Sequence, residues 1–333
     1  MAITISDVAE RAQVSISTVS RYMADKNSVK ELTAAKIAKV ISETGFIPNC
    51  NARNLKRGHS NVVGLITPDL TLELFSKVAK VLNEFLYEYG YLLIVCDSGF
   101  SPAKERMLVN SLIQQNAALI IVATNGNNAS FLNEIAQKTN RVLLFDRMQA
   151  DVMADCVTER HEENAYNLIR FLHSTGRLDI RHFHVLTGPS SSPITDFRLA
   201  GIHKALKSLG LALRPDQLTQ DLTSVDLTRE AVLSLLKHPN RPKSLFFTTP
   251  KCISGIFQAC WETGIEINRD LLLSGFATAD PKWMYNMSFP CIIQNSSQLG
   301  LVLGSQVLKR LKKPSASLTH KLITVDSILF EGD

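Results

Sequence analysis

Residues 4–21 read Thr4-Ile5-Ser6-Asp7-Val8-Ala9-Glu10-Arg11-Ala12-Gln13-Val14-Ser15-Ile16-Ser17-Thr18-Val19-Ser20-Arg21. Thr4, with Ser6 and Asp7 behind it, can cap a helix whose apolar positions Ile5, Val8, Ala9 and Ala12 follow the 3.6-residue period. The run breaks at Gln13-Val14, and Ser15 is placed to cap a second helix through Val19, Tyr22 and Met23. Two short helices across a tight turn define a helix-turn-helix unit. A third amphipathic stretch sets Thr33, Ile37, Val40, Ile41 and Thr44 on one face, and Gly45 supplies its stop signal. Three helices in about 45 residues make a small core, marginal on its own.

In such units the N-terminal part of the second helix meets base edges. Ser15, Ile16, Ser17, Thr18 and Arg21 lie at or near that end. Ser17 can hydrogen-bond several bases, Ile16 can pack on a thymine methyl, and Arg21 can reach guanine or phosphate. Each also has a plainer reading: Ser15 as a helix cap, Ile16 as incidental surface. The whole stretch resembles the headpiece signature of the LacI/GalR (lactose repressor) family. That resemblance implies candidate DNA contacts at Thr4, Ser15, Ile16, Ser17, Thr18, Arg21, Ser28 and Thr33. Two positions depart from the signature. Gln13 stands where the family usually has a turn glycine, so a slightly strained turn is expected. Lys30 replaces a serine cap, losing the cap but adding a cation near phosphates.

Residues 46–58, from Phe46-Ile47-Pro48-Asn49 to Lys56-Arg57-Gly58, are similar to the family's hinge segment. Pro48-Asn49 reads as a helix start and Gly58 as a stop. The helix between spans only about two turns, and so short a helix is marginal in water unless something holds it. By the resemblance it orders on operator DNA, where Leu55 matches a leucine wedged into the minor groove, with Asn49, Ala52 and Arg53 as further contacts. The plainer reading is a tether with an incidental leucine.

The charge distribution agrees with a polyanion-binding front end. Of a formal net charge of +5 over 333 residues, residues 1–59 carry nine basic against five acidic side chains, a net of +4. The rest of the chain is nearly balanced, so a basic module sits on a neutral body. Apolar residues make up 45% and charged ones 20%, which excludes a disordered chain. The first residues lack the basic-then-apolar pattern of a secretory signal. The most apolar runs are strand-length, well short of the ~20 residues that span a membrane. A cytoplasmic protein is expected. Six cysteines without a Cys-x-x-Cys pair read as reduced thiols in small apolar sites.

From Asn61 onward short apolar runs (62–66, 91–96, 119–123, 142–145, 182–186, 244–248, 271–276) alternate with amphipathic helical stretches, which implies parallel α/β architecture with ligands outside the strands' carboxyl ends. The family resemblance continues through Gly64-Leu65-Ile66-Thr67-Pro68-Asp69, Phe145-Asp146-Arg147, Arg198-Leu199-Ala200-Gly201, Gly275-Phe276 and residues 294–300. It implies the fold of periplasmic sugar-binding proteins: a small all-α helix-turn-helix headpiece, then two Rossmann-like lobes with parallel sheets, joined by three crossovers around a cleft. The expected division is headpiece 1–48, hinge 49–59 and core 60–333. Within the core the first lobe takes about 60–159 and 292–322, and the second about 160–291 and 323–333. Leu143-Leu144-Phe145-Asp146-Arg147 and Leu245-Phe246-Phe247-Thr248-Thr249 are similar to the fructose and sucrose repressor branch.

Carried over position by position, the cleft would be lined by Leu72, Leu74, Phe75, Asp146, Arg147, Asp196, Arg198, Thr249, Ala277 and Gln294. Asp146 and Gln294 suit sugar hydroxyls, and Phe75 suits a ring face. Asp196 stands where many members have a clamping arginine. Thr249-Pro250, Ala277-Thr278 and Arg160 likewise replace family polar groups, so a lactose-like effector is not expected. Arg147, Arg198 and Lys251 either hold a phosphate or carboxylate, or make ordinary ion pairs.

The implied function is a regulator, expected to be a repressor, of a carbohydrate operon. It would bind pseudo-palindromic double-stranded operator DNA as a homodimer and respond to a sugar, sugar phosphate or sugar acid. No catalytic residue, cofactor, metal or membrane partner is expected. The chain ends at Phe330-Glu331-Gly332-Asp333 without a leucine-heptad tail, so dimers rather than tetramers are expected. Two rivals remain: an α/β enzyme, against which stands the lack of Gly-x-Gly-x-x-Gly, P-loop and Gly-x-Ser-x-Gly motifs, and a transport-type sugar-binding protein. His182-x-His184 lacks a further nearby ligand for a metal.

Overall fold

The computed structural model describes residues 3–46, 60–149, 151–282, 286–312 and 321–332. The chain divides into two units, Met1–Ser60 and Asn61–Asp333.

In the first unit three helices form: α1 (Ile5–Arg11), α2 (Ile16–Ala24) and α3 (Glu31–Thr44). Thr4 and Asp7 close a reciprocal capping box on α1, which satisfies two otherwise open backbone donors. Gln13 in the turn has φ of 55°, so a side chain does occupy the left-handed geometry that glycine would take more cheaply. Lys30 precedes α3 without a side-chain cap, and Gly45 ends that helix at φ of 62°. Val8, Ala9, Ala12, Val19, Tyr22, Ile37, Val40 and Phe46 are the buried core. The expected hinge helix, with Asn49, Ala52, Arg53 and Leu55, lies outside the described residues.

The second unit carries two sheets of six strands among the described residues. The first lobe contains β1 (Val62–Thr67), α4 (Glu73–Glu88), β2 (Leu92–Asp97), α5 (Pro102–Gln114), β3 (Leu119–Val122), α6 (Ala129–Thr139), β4 (Val142–Phe145) and β5 (Cys156–Glu159). The second contains α7 (His161–Ser174), β6 (Phe183–Leu186), α8 (Pro193–Ser208), β7 (Leu218–Thr219), α9 (Val225–Lys237), β8 (Ser244–Phe247), α10 (Cys252–Thr263), β9 (Leu272–Ala277) and β10 (Cys291–Ile293). The chain then returns to the first lobe as α11 (Ser296–Lys312) and β11 (Leu322–Val325), and finishes in the second as β12 (Ile328–Phe330). Sheet orders are β11-β5-β4-β3-β1-β2 and β12-β10-β9-β8-β6-β7. The pairs are parallel except β10 with β12.

Strands such as β3, β4 and β8 are buried throughout because helices cover both sheet faces. The three crossings fall at residues 159–160, 294–295 and 326–327. The last two lie a few residues beyond the boundaries expected at 291/292 and 322/323. Cys291 pairs with Gly275 and keeps β10 in the second lobe, while Leu322 pairs with Cys156 and keeps β11 in the first. One glycine sets the geometry of the site. A Cβ at Gly201 on α8 would collide with the Glu162 carbonyl of α7, so only glycine lets these two helices approach this closely. The described cysteines are free thiols, and all but Cys96 are buried.

Candidate functional site

On the headpiece, the N-terminal end of α2 is open. Ser15 caps the helix by accepting from the Thr18 amide at 3.2 Å. Its hydroxyl lies 2.7 Å from that of Ser17 and 2.8 Å from that of Thr18. Ile16 is 50% exposed. Ser17 and Arg21 are exposed and Thr18 is half-buried. Ser28 donates to the Arg21 carbonyl at 2.9 Å and to that of Asp25 at 2.6 Å, so its hydroxyl tethers the loop behind α2. Thr4 is exposed but engaged with Asp7, whose carboxyl is held below the usual range by the Thr4 backbone and side-chain hydrogen bonds. Thr33 is half-buried in the first turn of α3.

In the second unit a cavity of about 100 Å³ lies between the lobes. Leu72, Leu74, Phe75, Asp146, Arg147, Arg198, Thr249 and Gln294 line it. Two expected members do not. Asp196 is exposed: on α8 the residues facing the cavity are Ile194, Thr195 and Arg198, and position 196 is turned away by the helical period. Ala277 ends β9 with its side chain in the second lobe's core, and its carbonyl accepts from the Gln294 amide at 3.0 Å. Phe75 packs edge-to-face on Phe145 within the first lobe's core, with ring centroids 5.8 Å apart. The aromatic ring not anticipated from sequence is Phe100, which also lines the cavity and carries the Arg147 guanidinium 5.5 Å above it.

Buried charge is concentrated at the cavity wall. Asp146, directly after β4, has φ of 61° and is 6% exposed. Its Oδ1 lies 3.2 Å from His161 Nε2. Burial raises its carboxyl's pKa, but the His161 hydrogen bond and the Arg147 and Arg198 charges bring it below the usual carboxylate range. Arg198 donates to the Thr248 carbonyl, reaches His161 Nδ1 at 3.3 Å, and stacks 3.8 Å above the Phe276 ring. Burial lowers its pKa to about 10 even with Asp146 and Glu159 opposing. Arg147 donates to the Thr124 carbonyl at 3.3 Å. Its pKa is lowered by burial against the opposing pull of Asp146 and Glu105. Both guanidinium groups keep a buried Nε without a partner.

Glu105 is fully buried behind Arg147, accepting from Thr124, Asn125 and Asn128 at 2.9–3.0 Å. Glu159, at the first crossing, accepts from Gln294 Nε2 at 2.9 Å, the Asn295 amide at 2.9 Å and Ser327 at 2.8 Å, so one carboxylate ties all three crossings together. Three further contacts cross the cleft. Lys251 Nζ meets Asp69 Oδ2 at 3.0 Å, Lys77 Nζ meets the Thr278 carbonyl at 3.1 Å, and the Thr278 hydroxyl donates to Glu73.

Sequence reasoning had singled out Lys251 as a cation but not its partner. It missed His161, Glu159, Glu105 and the Glu73–Thr278 contact. No local pattern marks these residues, because their partners are brought in from distant parts of the chain. His182 and His184 go separate ways, to Asp179 at 3.0 Å and Thr219 at 2.8 Å. Among the described residues no three His, Cys, Asp or Glu side chains gather as a metal site requires, and no helix is long and apolar enough to cross a membrane.

Comparison with known proteins gives two family matches: residues 4–49 match "Bacterial regulatory proteins, lacI family", and residues 60–329 match "Periplasmic binding proteins and sugar binding domain of LacI family". The chain is 26% identical to catabolite control protein A of Priestia megaterium, covering 94% of each chain. It is 27% identical to the HTH-type transcriptional regulator KdgR of Bacillus subtilis, covering 93% of this chain and 91% of that one. Among solved structures, the lac repressor dimer bound to operator and the anti-inducer ONPF has a similar fold. Its TM-score is 0.83 at 22% identity, over 100% of this chain and 98% of the other.

Proposed function

The chain belongs to the lacI family of bacterial regulatory proteins, and from that premise we propose that a small sugar-like molecule, held between the core lobes, sets how firmly the headpiece binds operator DNA. It is a DNA-binding transcriptional regulator of the family that controls carbohydrate catabolism. The observation that carries the reading is the pairing of two features on one chain. One is a capped, exposed α2 terminus presenting Ile16 and Ser17; the other is an interlobe cavity walled by buried charge. A transport-type binder has no use for the first, and the matched relatives are regulators rather than enzymes. The titratable groups at the wall are committed to one another and to backbone, which supports binding rather than turnover.

The cavity as it stands is smaller than the several hundred Å³ typical of small-ligand sites. Entry therefore requires the lobes to part, breaking the Lys251–Asp69 and Thr278–Glu73 contacts. A molecule that fits one lobe angle better than another shifts the balance between them. If the hinges follow the lobes, DNA affinity changes in step. Each cation at the cavity has a matching anion: Lys251 has Asp69, Arg147 has Glu105 and Asp146, and Arg198 has Asp146 and Glu159. That balance favours an uncharged polyol over a sugar phosphate or sugar acid.

The protein is taken to act as a homodimer on a pseudo-palindromic site. The test is fluorescence anisotropy with a duplex from the gene's own upstream region, across a salt series, with and without neutral, phosphorylated and acidic sugars. Binding that weakens steeply with salt and shifts with one sugar is expected. Absence of binding at low ionic strength under every condition refutes the proposal.

A further inference from the structure

The Asp146–His161–Arg198 contact spans the two lobes. Asp146 follows β4 in the first, while His161 opens α7 and Arg198 sits on α8 in the second. The three side chains are buried, at 6%, 4% and 4% exposure. Asp146 and Arg198 face the interlobe cavity, and His161, together with Asp146, lines a second groove of about 550 Å³ beside Tyr166 and Phe197. The two ring nitrogens of the imidazole thus meet a carboxylate of one lobe and a guanidinium of the other.

The protonation pattern of that imidazole follows from its neighbours. A guanidinium has donors only, so Nδ1, 3.3 Å from Arg198 Nη2, must accept and carries no hydrogen. At the other nitrogen, the Thr158 hydroxyl already donates to the Asp146 carbonyl at 2.7 Å. Facing Nε2 at 3.2 Å, that hydroxyl accepts, as does Asp146 Oδ1 at 3.2 Å. The Nε2 end calls for an N–H and the Nδ1 end for a bare nitrogen, which together describe the neutral Nε2–H tautomer. An imidazolium would aim a second N–H at the guanidinium, and the Nδ1–H tautomer would lose both bonds.

We propose that His161 is a positioning residue of the effector cavity: as the Nε2–H imidazole it links the carboxylate of one lobe to the guanidinium of the other, and so fixes both groups for a ligand hydroxyl that donates to Asp146 and accepts from Arg198. The assignment deepens the effector reading and rests on it. Its direct test does not depend on which sugar binds. The close approach of α7 and α8 at Gly201 is what makes this reach available. Arg198 is stacked on Phe276 and bonded to the Thr248 carbonyl, which holds its guanidinium at the cavity wall.

The experiment has two arms. In the first, full-length protein labelled with ¹⁵N-histidine is examined at neutral pH by long-range ¹H–¹⁵N correlation. The His161 ring is identified by its loss in His161→Gln or, should that variant not fold, in His161→Asn. A pyridine-type Nδ1 and a pyrrole-type Nε2 are expected; the opposite tautomer or an imidazolium overturns the proposal. In the second, calorimetry measures binding of D-fructose, D-glucose 6-phosphate and D-gluconate. Whichever binds the wild type should lose about 30-fold in affinity in His161→Leu, since a charged hydrogen-bond chain is broken. It should lose under about 5-fold in His161→Gln, whose amide supplies an acceptor and a donor side by side. Equal loss in the two variants overturns the positioning role. If none of the three sugars binds the wild type, the effector reading falls while the tautomer still decides this one.

Discussion

His184 shows how one residue's surroundings become a property of the protein. It sits buried on β6 with Nε2 on the Thr219 hydroxyl, and burial pushes its pKa down from the ordinary 6.5 to about 4, with only Asp216 pulling the other way. The unfolded chain therefore takes up a proton between pH 6.5 and 4 that the folded chain refuses. Stability from this site is complete above 6.5 and declines as the pH falls toward 4, by on the order of 1–3 kcal/mol. Thermal melts across that window should show the decline, and it should be shallower in His184→Asn. A slope unchanged by the substitution would assign the effect to other groups. Asp146 acts lower on the scale. Its folded carboxyl is held below the usual range, so its contribution is present above the ordinary carboxylate pKa and lost as pH falls through the lowered one.

At the level of elements, the headpiece contains two local defects that were legible from its residues alone. Gln13 occupies the left-handed turn at φ of 55°, and Lys30 begins α3 without a side-chain cap. Gln13→Gly should stabilise the headpiece by about 0.5–1 kcal/mol, because a Cβ is unfavourable in that geometry. Lys30→Ser should add about 1 kcal/mol through a new cap. If Lys30 meets a phosphate, as its place in the motif implies, the same change should lower the salt dependence of DNA binding by about one unit of slope. Denaturant melts of the full chain, read on the headpiece transition, and a salt series check both. In the core, Gly201→Ala forces α7 and α8 apart at the Glu162 carbonyl. A loss of about 1–3 kcal/mol in urea unfolding is expected from overpacking. The helices' existence could be read from period and caps, but their near contact could not. A glycine in Arg-Leu-Ala-Gly looks like any helical glycine until its neighbour is placed.

For the whole molecule, the reading separates DNA contacts from effector contacts, and that separation is measurable. Arg21→Ala and Leu55→Ala should each weaken binding to the upstream duplex about tenfold or more, while sugar affinity in calorimetry stays within about twofold, since neither residue belongs to the core. Loss of sugar binding in either variant, or full DNA affinity in both, would contradict the scheme. How far the site could be anticipated differs between the two units. The headpiece's helices, caps and turn were legible because capping, period and turn chemistry act over three or four residues, and all of those signals lie in one short stretch. Eight of the ten cleft positions line the cavity, but Asp196 turned outward and Ala277 inward, since alignment of position does not settle which side of a helix or strand faces a ligand. What the amino-acid order determined alone was the alternation of strand and helix, the caps, the basic front end and the family signature, all set by local periodicity and charge. Only the folded chain decided that Glu159 would tie three crossings, that Asp69 and Glu73 would make contacts across the cleft, and that His161 would stand between Asp146 and Arg198. Those pairings join residues separated by up to 205 positions, and buried charges find partners by packing rather than by neighbourhood in sequence.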